Sequence, residues 1–165
     1  MKLLVAPPRL RGTLVREAIE ARLGEGRKVL LLMFEPSTLS TLGSLAGVRS
    51  GEEADLMIMN SILADGSKSL LMFASLLGRY NFGVIDELYG AYLTSLSSAT
   101  RDRPYNVRRK FVMLLSLIKH LEKNASLTVE AYTSIREVGV WILDLFDEVV
   151  RLEGSSDGRS HEHRR

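Results

Sequence analysis

Three groups of side chains in this sequence are of the kinds that handle phosphate. The first is APPRLRGT, Ala6 to Thr13, set between the apolar run Leu3-Leu4-Val5 and a helical pattern. A phosphate-binding loop reads Gly-x-x-x-x-Gly-Lys-Ser/Thr. Its glycines let successive backbone N–H groups face the phosphates, its Lys neutralises them, and its hydroxyl holds Mg²⁺. Ala6, Arg11 and Gly12 stand where Gly, Gly and Lys belong, and only Thr13 fits. Arg11 puts a side chain where backbone should approach phosphate, and Gly12 removes the fixed cation. Arg9 and Arg11 can return charge to the loop but not its nest of N–H groups. The favoured reading is a dead site with no cofactor; the alternative is that nucleotide binding survives.

The second group is acidic. Asp86 ends the apolar run FGVID, with Glu87 directly after it, and Glu35 follows the run VLLLMF. A carboxylate at a strand end orients Mg²⁺-bound water where a metal is bound; otherwise it caps local backbone, which is the preferred role for Asp86. Glu35 and Glu87 are the candidates for polarising a water. A base with no phosphate before it does nothing, so all three are read as vestigial and no catalysis is expected.

The third group is the basic stretch Arg101-Asp102-Arg103-Pro104-Tyr105-Asn106-Val107-Arg108-Arg109-Lys110. Its five cations against one acid give it +4, more than the +2 of the whole chain. Arg101, Arg103, Arg108, Arg109 and Lys110 suit nucleic-acid phosphates, and Tyr105 suits base stacking. The opposing reading is a solvated helix start, although cations there oppose the helix dipole. Other candidates are weaker. His120 reads as a helix-surface residue, His161-Glu162-His163 as tail residues rather than a metal site, and Trp141 as core or partner surface. No nucleophilic triad or paired-carboxylate arrangement can be placed from spacing.

The elements that must position these groups alternate. Lys2–Val5, Val29–Phe34, Asp55–Met59, Phe82–Asp86, Leu127–Tyr132 and Glu148–Leu152 read as strands. Thr13–Leu23, Ser37–Ala46, Ser67–Arg79, Val107–Lys123 and Val138–Leu145 read as helices, Val107–Lys123 with the clearest amphipathic spacing. Such alternation predicts a mostly parallel sheet with helices on both faces. One domain is expected over residues 1–153, followed by a polar tail, 154–165, with nothing to bury. The 165 residues are 45% hydrophobic with no cysteine, which suffices for one core and excludes disulfides and thiolate metal sites. Apolar runs are too short to span a bilayer and no leader pattern opens the chain, so a cytoplasmic protein without membrane partners is expected.

In this order the pieces resemble the ATPase core of the RecA/RadA recombinase family, especially its archaeal RadA- and RadB-like paralogs. VAPPRLRGTLVREAI resembles the family's strand, Gly-Pro-Pro-Gly-x-Gly-Lys-Thr loop and helix, with Pro7, Pro8 and Thr13 in place. GRKVLLLMFEP resembles the second strand ending in Asp-x-Glu, with Glu35 kept and Met33 in place of Asp. FGVIDELYGAYL is similar to the Walker B strand and the segment after it. RRKFVMLLSLIKHLEKNASLTVEAYTS and VGVWILDLFDEVVRLEG resemble the helix, strand and ending that follow. The likeness covers most of residues 1–154 and implies a RecA-like P-loop core. It also implies that residues 101–110 occupy the place of one DNA-contacting loop, and that the second, after Tyr132, is reduced to Thr133–Glu137. The family's Phe-x-x-Ala polymerisation motif has no counterpart, so self-assembly into filaments is not expected. The resemblance implies a non-catalytic paralog, an accessory subunit in recombination or repair. Its expected partners are a RadA-type recombinase or another RecA-like paralog, with DNA as a further partner, in a homo- or hetero-oligomer. The rivals are a KaiC-like pseudo-ATPase scaffold without DNA binding and an atypical ATPase.

Overall fold

A chain whose apolar runs are four to six residues long and separated by helical patterns can bury those runs only by pairing them under the helices. The computed structural model does this, and it describes residues 1–42, 55–62, 64–99, 103–135, 138–153 and 161–164, with backbone alone at 37, 39, 41 and 161–164. In chain order the elements are β1 (Lys2–Val5), α1 (Pro8–Gly24), β2 (Val29–Met33), α2 (Ser37–Leu42) and β3 (Leu56–Asn60). Then come α3 (Gly66–Leu77), β4 (Phe82–Asp86), α4 (Leu88–Ser98), α5 (Pro104–Asn124) and β5 (Thr128–Thr133). The last three are α6 (Val140–Leu143), β6 (Glu148–Glu153) and β7 (His161–Arg164).

The strands lie in the order β3-β2-β4-β5-β1-β6-β7, and every pairing is parallel except β6 with β7. The protein is therefore α/β, with a parallel sheet clad by helices. Side chains alternate across the sheet, as the pleat requires. Leu30, Leu32, Ile85, Val129 and Ala131 enter a core with α3, α4 and α5. Val29, Leu31, Met33, Phe82 and Val84 enter a second core with Val15 and Ile19 of α1. β2 and β4 are buried along their whole length, which is why their sequences are unbroken apolar runs.

Four expectations change. The first helix begins at Pro8, not Thr13, because Pro8 takes the first helical position, where its missing N–H costs nothing. The fifth begins at Pro104 for the same reason, so Tyr105 to Lys110 lie on a helix rather than a loop. Helix α4 was not expected at all. Its Thr94, Ser95, Ser97 and Ser98 hydroxyls donate to carbonyls one turn back, at 2.8–3.0 Å. Such residues compete with helix in isolation, and packing against α3 and α5 overrides that preference here. Finally, the polar tail is not wholly without structure, since His161–Arg164 adds an antiparallel strand beside β6. Arg101, Glu137 and the end of the expected helix at Ser37–Ala46 lie outside the described residues.

Candidate functional site

In open parallel sheets, ligands bind beyond the carboxyl ends of the strands. At that end β1 runs into α1 through only Ala6 and Pro7, and Arg11 N–H already donates to Pro7 O at 2.9 Å. Pro7 and Pro8 carry no N–H and α1 begins at once, so the connection lacks the run of loop N–H groups that wraps a phosphate. Thr13 lies well inside α1, its Oγ1 3.5 Å from Arg9 O, and Arg9 is exposed. Gly12 is buried. Of the four degenerate-loop residues, only Arg11 reaches the sheet end.

Arg11 is 1% exposed, among the largest fully buried side chains. Its Nε lies 2.9 Å from Asp86 Oδ1, in charge contact rather than in an aligned hydrogen bond. Nη1 contacts Glu87 Oε2 and donates to Ser134 Oγ at 3.1 Å. Nη2 is buried with no hydrogen-bond partner. The other oxygen of Asp86 accepts from Thr38 Oγ1 at 2.6 Å. The Glu87 carboxylate accepts from Thr133 Oγ1 at 2.7 Å, from Ser134 N at 3.0 Å and from Ser134 Oγ at 2.5 Å.

Glu87 also holds a left-handed backbone conformation, φ 58° and ψ 61°, immediately before α4. For a residue with a Cβ this costs about 1–2 kcal/mol, and the ring of donors around its carboxylate holds it there. Asp86 is fully buried, and its pKa is raised from 3.8 to about 6 on balance, with burial the largest cause. The Arg11 guanidinium and the Thr38 hydroxyl pull it back down, while Glu87 and Glu35 push it up. Glu35 is half-buried at the end of β2, close enough for its charge to be felt.

Asp86 therefore pairs with side chains and does not serve as the backbone cap expected from sequence. The vestigial triplet and Arg11 do come together, and Thr38, Thr133 and Ser134 complete the cluster. Those three were missed. The available signal was that each lies at or just beyond the end of a strand at the same sheet end, β2 for Thr38 and β5 for the other two.

The arrangement does not fit a magnesium nucleotide. The oxygens of Asp86 that would face metal-bound water are met by Arg11 and Thr38, and the fixed positive charge is part of the protein. Among the described residues, no group of three or more His, Cys, Asp or Glu is placed to hold a metal.

The basic stretch is divided by its helix. Arg108 stacks over Trp141, 4.7 Å from the ring, and Trp141 packs edge-on against Tyr92 and Phe111. Lys110 lines a cleft on the other flank of α5, while Arg103, Tyr105 and Arg109 face solvent, Tyr105 at 71% exposure. His120 is exposed and shares a polar contact with Asn124. No described helix is long and apolar enough to cross a membrane.

The fold and site together define an α/β domain whose carboxyl-end crevice is filled by its own ion-paired cluster. The chain matches no protein-family model and no curated protein.

Proposed function

We propose that this protein is a non-catalytic RecA/RadA-like paralog that acts as an accessory subunit in homologous recombination or DNA repair, engaging a recombinase or another RecA-like partner, and DNA, without turning over ATP. The observation that carries the non-catalytic reading is the Arg11 guanidinium seated between Asp86 and Glu87. It supplies from within the chain the positive charge that Lys and Mg²⁺ supply in a working site. The same geometry argues against an atypical ATPase using this arginine, because Arg11 faces the protein's own carboxylates.

A second reading, a KaiC-like scaffold without DNA binding, draws on the division of the basic stretch. With Arg108 on Trp141 and Lys110 in the α3–α5 cleft, the exposed cations of this stretch are spread around α5 and do not form one patch.

Two titrations on the full chain test these readings. A micromolar site at millimolar Mg-ATP would add about 4 kcal/mol of stability, or roughly 10 °C of melting temperature. No ATP-specific shift is expected, and a clear one that disappears in Thr13→Ala overturns the non-catalytic reading. Single-stranded DNA binding with a log–log salt slope of roughly −2 to −3, flattened by replacing Arg103 and Arg109 with Ala, supports the DNA-engaging form. Absence of binding at low salt leaves the scaffold.

A further inference from the structure

The two edges of the sheet are built differently. At one, β7 reads His-Glu-His-Arg, with an ionisable side chain at every position. Charge is a common way of blunting an edge against further strands. At the other edge, β3 reads Leu-Met-Ile-Met-Asn, with no charge and no proline. It runs the full length of β2 in an unbroken register, so no bulge turns it away from a newcomer. Among the described elements, only β2 is in extensive contact with β3, and Ile58 at the centre of β3 is 40% exposed.

The hydrogen bonds at the two ends of this pairing fix which groups face outward. Val29 N donates to Asp55 O at 2.6 Å, and Ser61 N donates to Met33 O at 2.9 Å. In a parallel ladder every second residue bonds to a given neighbour, so Met57 and Met59, between Asp55 and Ser61, face β2. Leu56, Ile58 and Asn60 therefore turn their backbone N–H and C=O groups away from β2, where no described strand follows. An open row of this kind is a template for one more strand.

Charge and register indicate what that strand is. A charged strand selects an opposite partner, whereas a neutral one can meet itself without repulsion. Antiparallel pairing about a two-fold axis through Ile58 lays β3 along its own copy over its whole length. Leu56 then lies opposite the partner's Asn60, and Ile58 opposite the partner's Ile58. All of these are outward residues, and in an antiparallel sheet such opposed pairs exchange both hydrogen bonds. Asp55, the charge next to β3, falls opposite the partner's Ser61, so no carboxylate meets its own copy.

We propose that β3 is a self-association edge, at which two copies of this chain join β3 to β3 antiparallel into one sheet running through both subunits. The contact is isologous and closes on itself at the dimer. It does not depend on the recombinase reading or on DNA.

Sedimentation of the full chain from about 1 μM to 1 mM, the range of weak contacts, should show a monomer–dimer equilibrium. Ile58→Pro is the sharpest variant, because the N–H it removes points away from β2 and the ladder within the chain keeps its bonds. It should weaken association at least about tenfold with circular dichroism unchanged. Ile58→Lys stands in if the proline variant does not fold. Mixing reads the register: Ile58→Lys and Ile58→Glu should each associate poorly alone yet pair with each other, since the axis sets position 58 against itself. In amide exchange, Leu56, Ile58 and Asn60 should gain protection with concentration, while Met57 and Met59 are protected throughout. A chain that stays monomeric to the top of that range overturns the proposal, as does a dimer untouched by the Ile58 variants. So does a mixture that associates no better than its components. Full protection of Leu56, Ile58 and Asn60 in the monomer also overturns it, because the chain would then cover this edge itself.

Discussion

Replacing Arg11 by Met removes the guanidinium while keeping most of the buried stem, so the effect is nearly all electrostatic. Two neighbouring carboxylates, Asp86 at 0% and Glu87 at 6% exposure, are then left without their shared cation. Breaking a buried pair from one side costs about 3–5 kcal/mol, a large part of the roughly 5–15 kcal/mol that holds a domain together. Proton uptake limits the damage. Asp86 already titrates at about 6 with Arg11 present, and without it the carboxyl should be neutral at pH 7. The loss therefore depends on pH, with a sign that can be worked out.

In the parent protein, Asp86 has a folded pKa above its unfolded value of 3.8, so it contributes most below pH 4. That contribution is lost as pH rises through about 6, by about 3 kcal/mol at 1.36 kcal/mol per unit. In Arg11→Met the folded pKa is higher still, so the loss continues to grow up to and beyond pH 7. Between pH 7.5 and 6 the variant should regain about 2 kcal/mol relative to the parent. Below pH 6 the gap should change little, because both proteins then take up the same proton. Urea denaturation followed by circular dichroism at pH 7.5, 6 and 5 measures this directly. Adding Asp86→Asn to Arg11→Met should restore most of the stability and abolish the pH dependence. A loss under 1 kcal/mol, or one independent of pH, would refute the view that Arg11 is the counter-charge of this cluster.

Two further substitutions probe the frame around it. Thr38→Val removes the 2.6 Å hydrogen bond to Asp86; it should cost about 1–3 kcal/mol and raise the Asp86 pKa further, which carboxyl-carbon NMR would follow. At Gly66 an added Cβ would lie 1.9 Å from Ala91 O. Gly66→Ala must therefore push α3 off α4, and a melting-temperature fall matching about 1–3 kcal/mol or more is expected; an unchanged melting temperature would mean that the helix contact is loose.

The strands were legible because a sheet buried on both faces writes itself as unbroken apolar runs. Lys2–Val5 and Phe82–Asp86 were read to the residue. Helix α4 was hidden because Gly90 and its serines and threonines carry turn chemistry, and only the packing of α3 and α5 decides between the two outcomes. In the site, spacing brought Arg11, Asp86 and Glu87 to the same sheet end, yet their meeting was not foreseen. Arg11 had been read as part of a dead phosphate loop, Asp86 as a backbone cap and Glu87 as vestigial. What decides otherwise is a contact between residues 75 and 76 positions apart, and nothing local encodes it. The basic stretch looked like one patch because sequence counts charge along the chain. The helix begins at Pro104 and turns Arg108 and Lys110 to different flanks.

The buried guanidinium also changes what the molecule can sense. A nucleotide-binding domain is firm when its ligand is abundant and looser when it is scarce, because stability follows ligand concentration. A cation tethered to the chain is always at the same effective concentration. With Arg11 between Asp86 and Glu87, the sheet end always carries its own cation. On the proposed non-catalytic reading, any partner that meets this surface meets one shape, whether nucleotide is abundant or scarce.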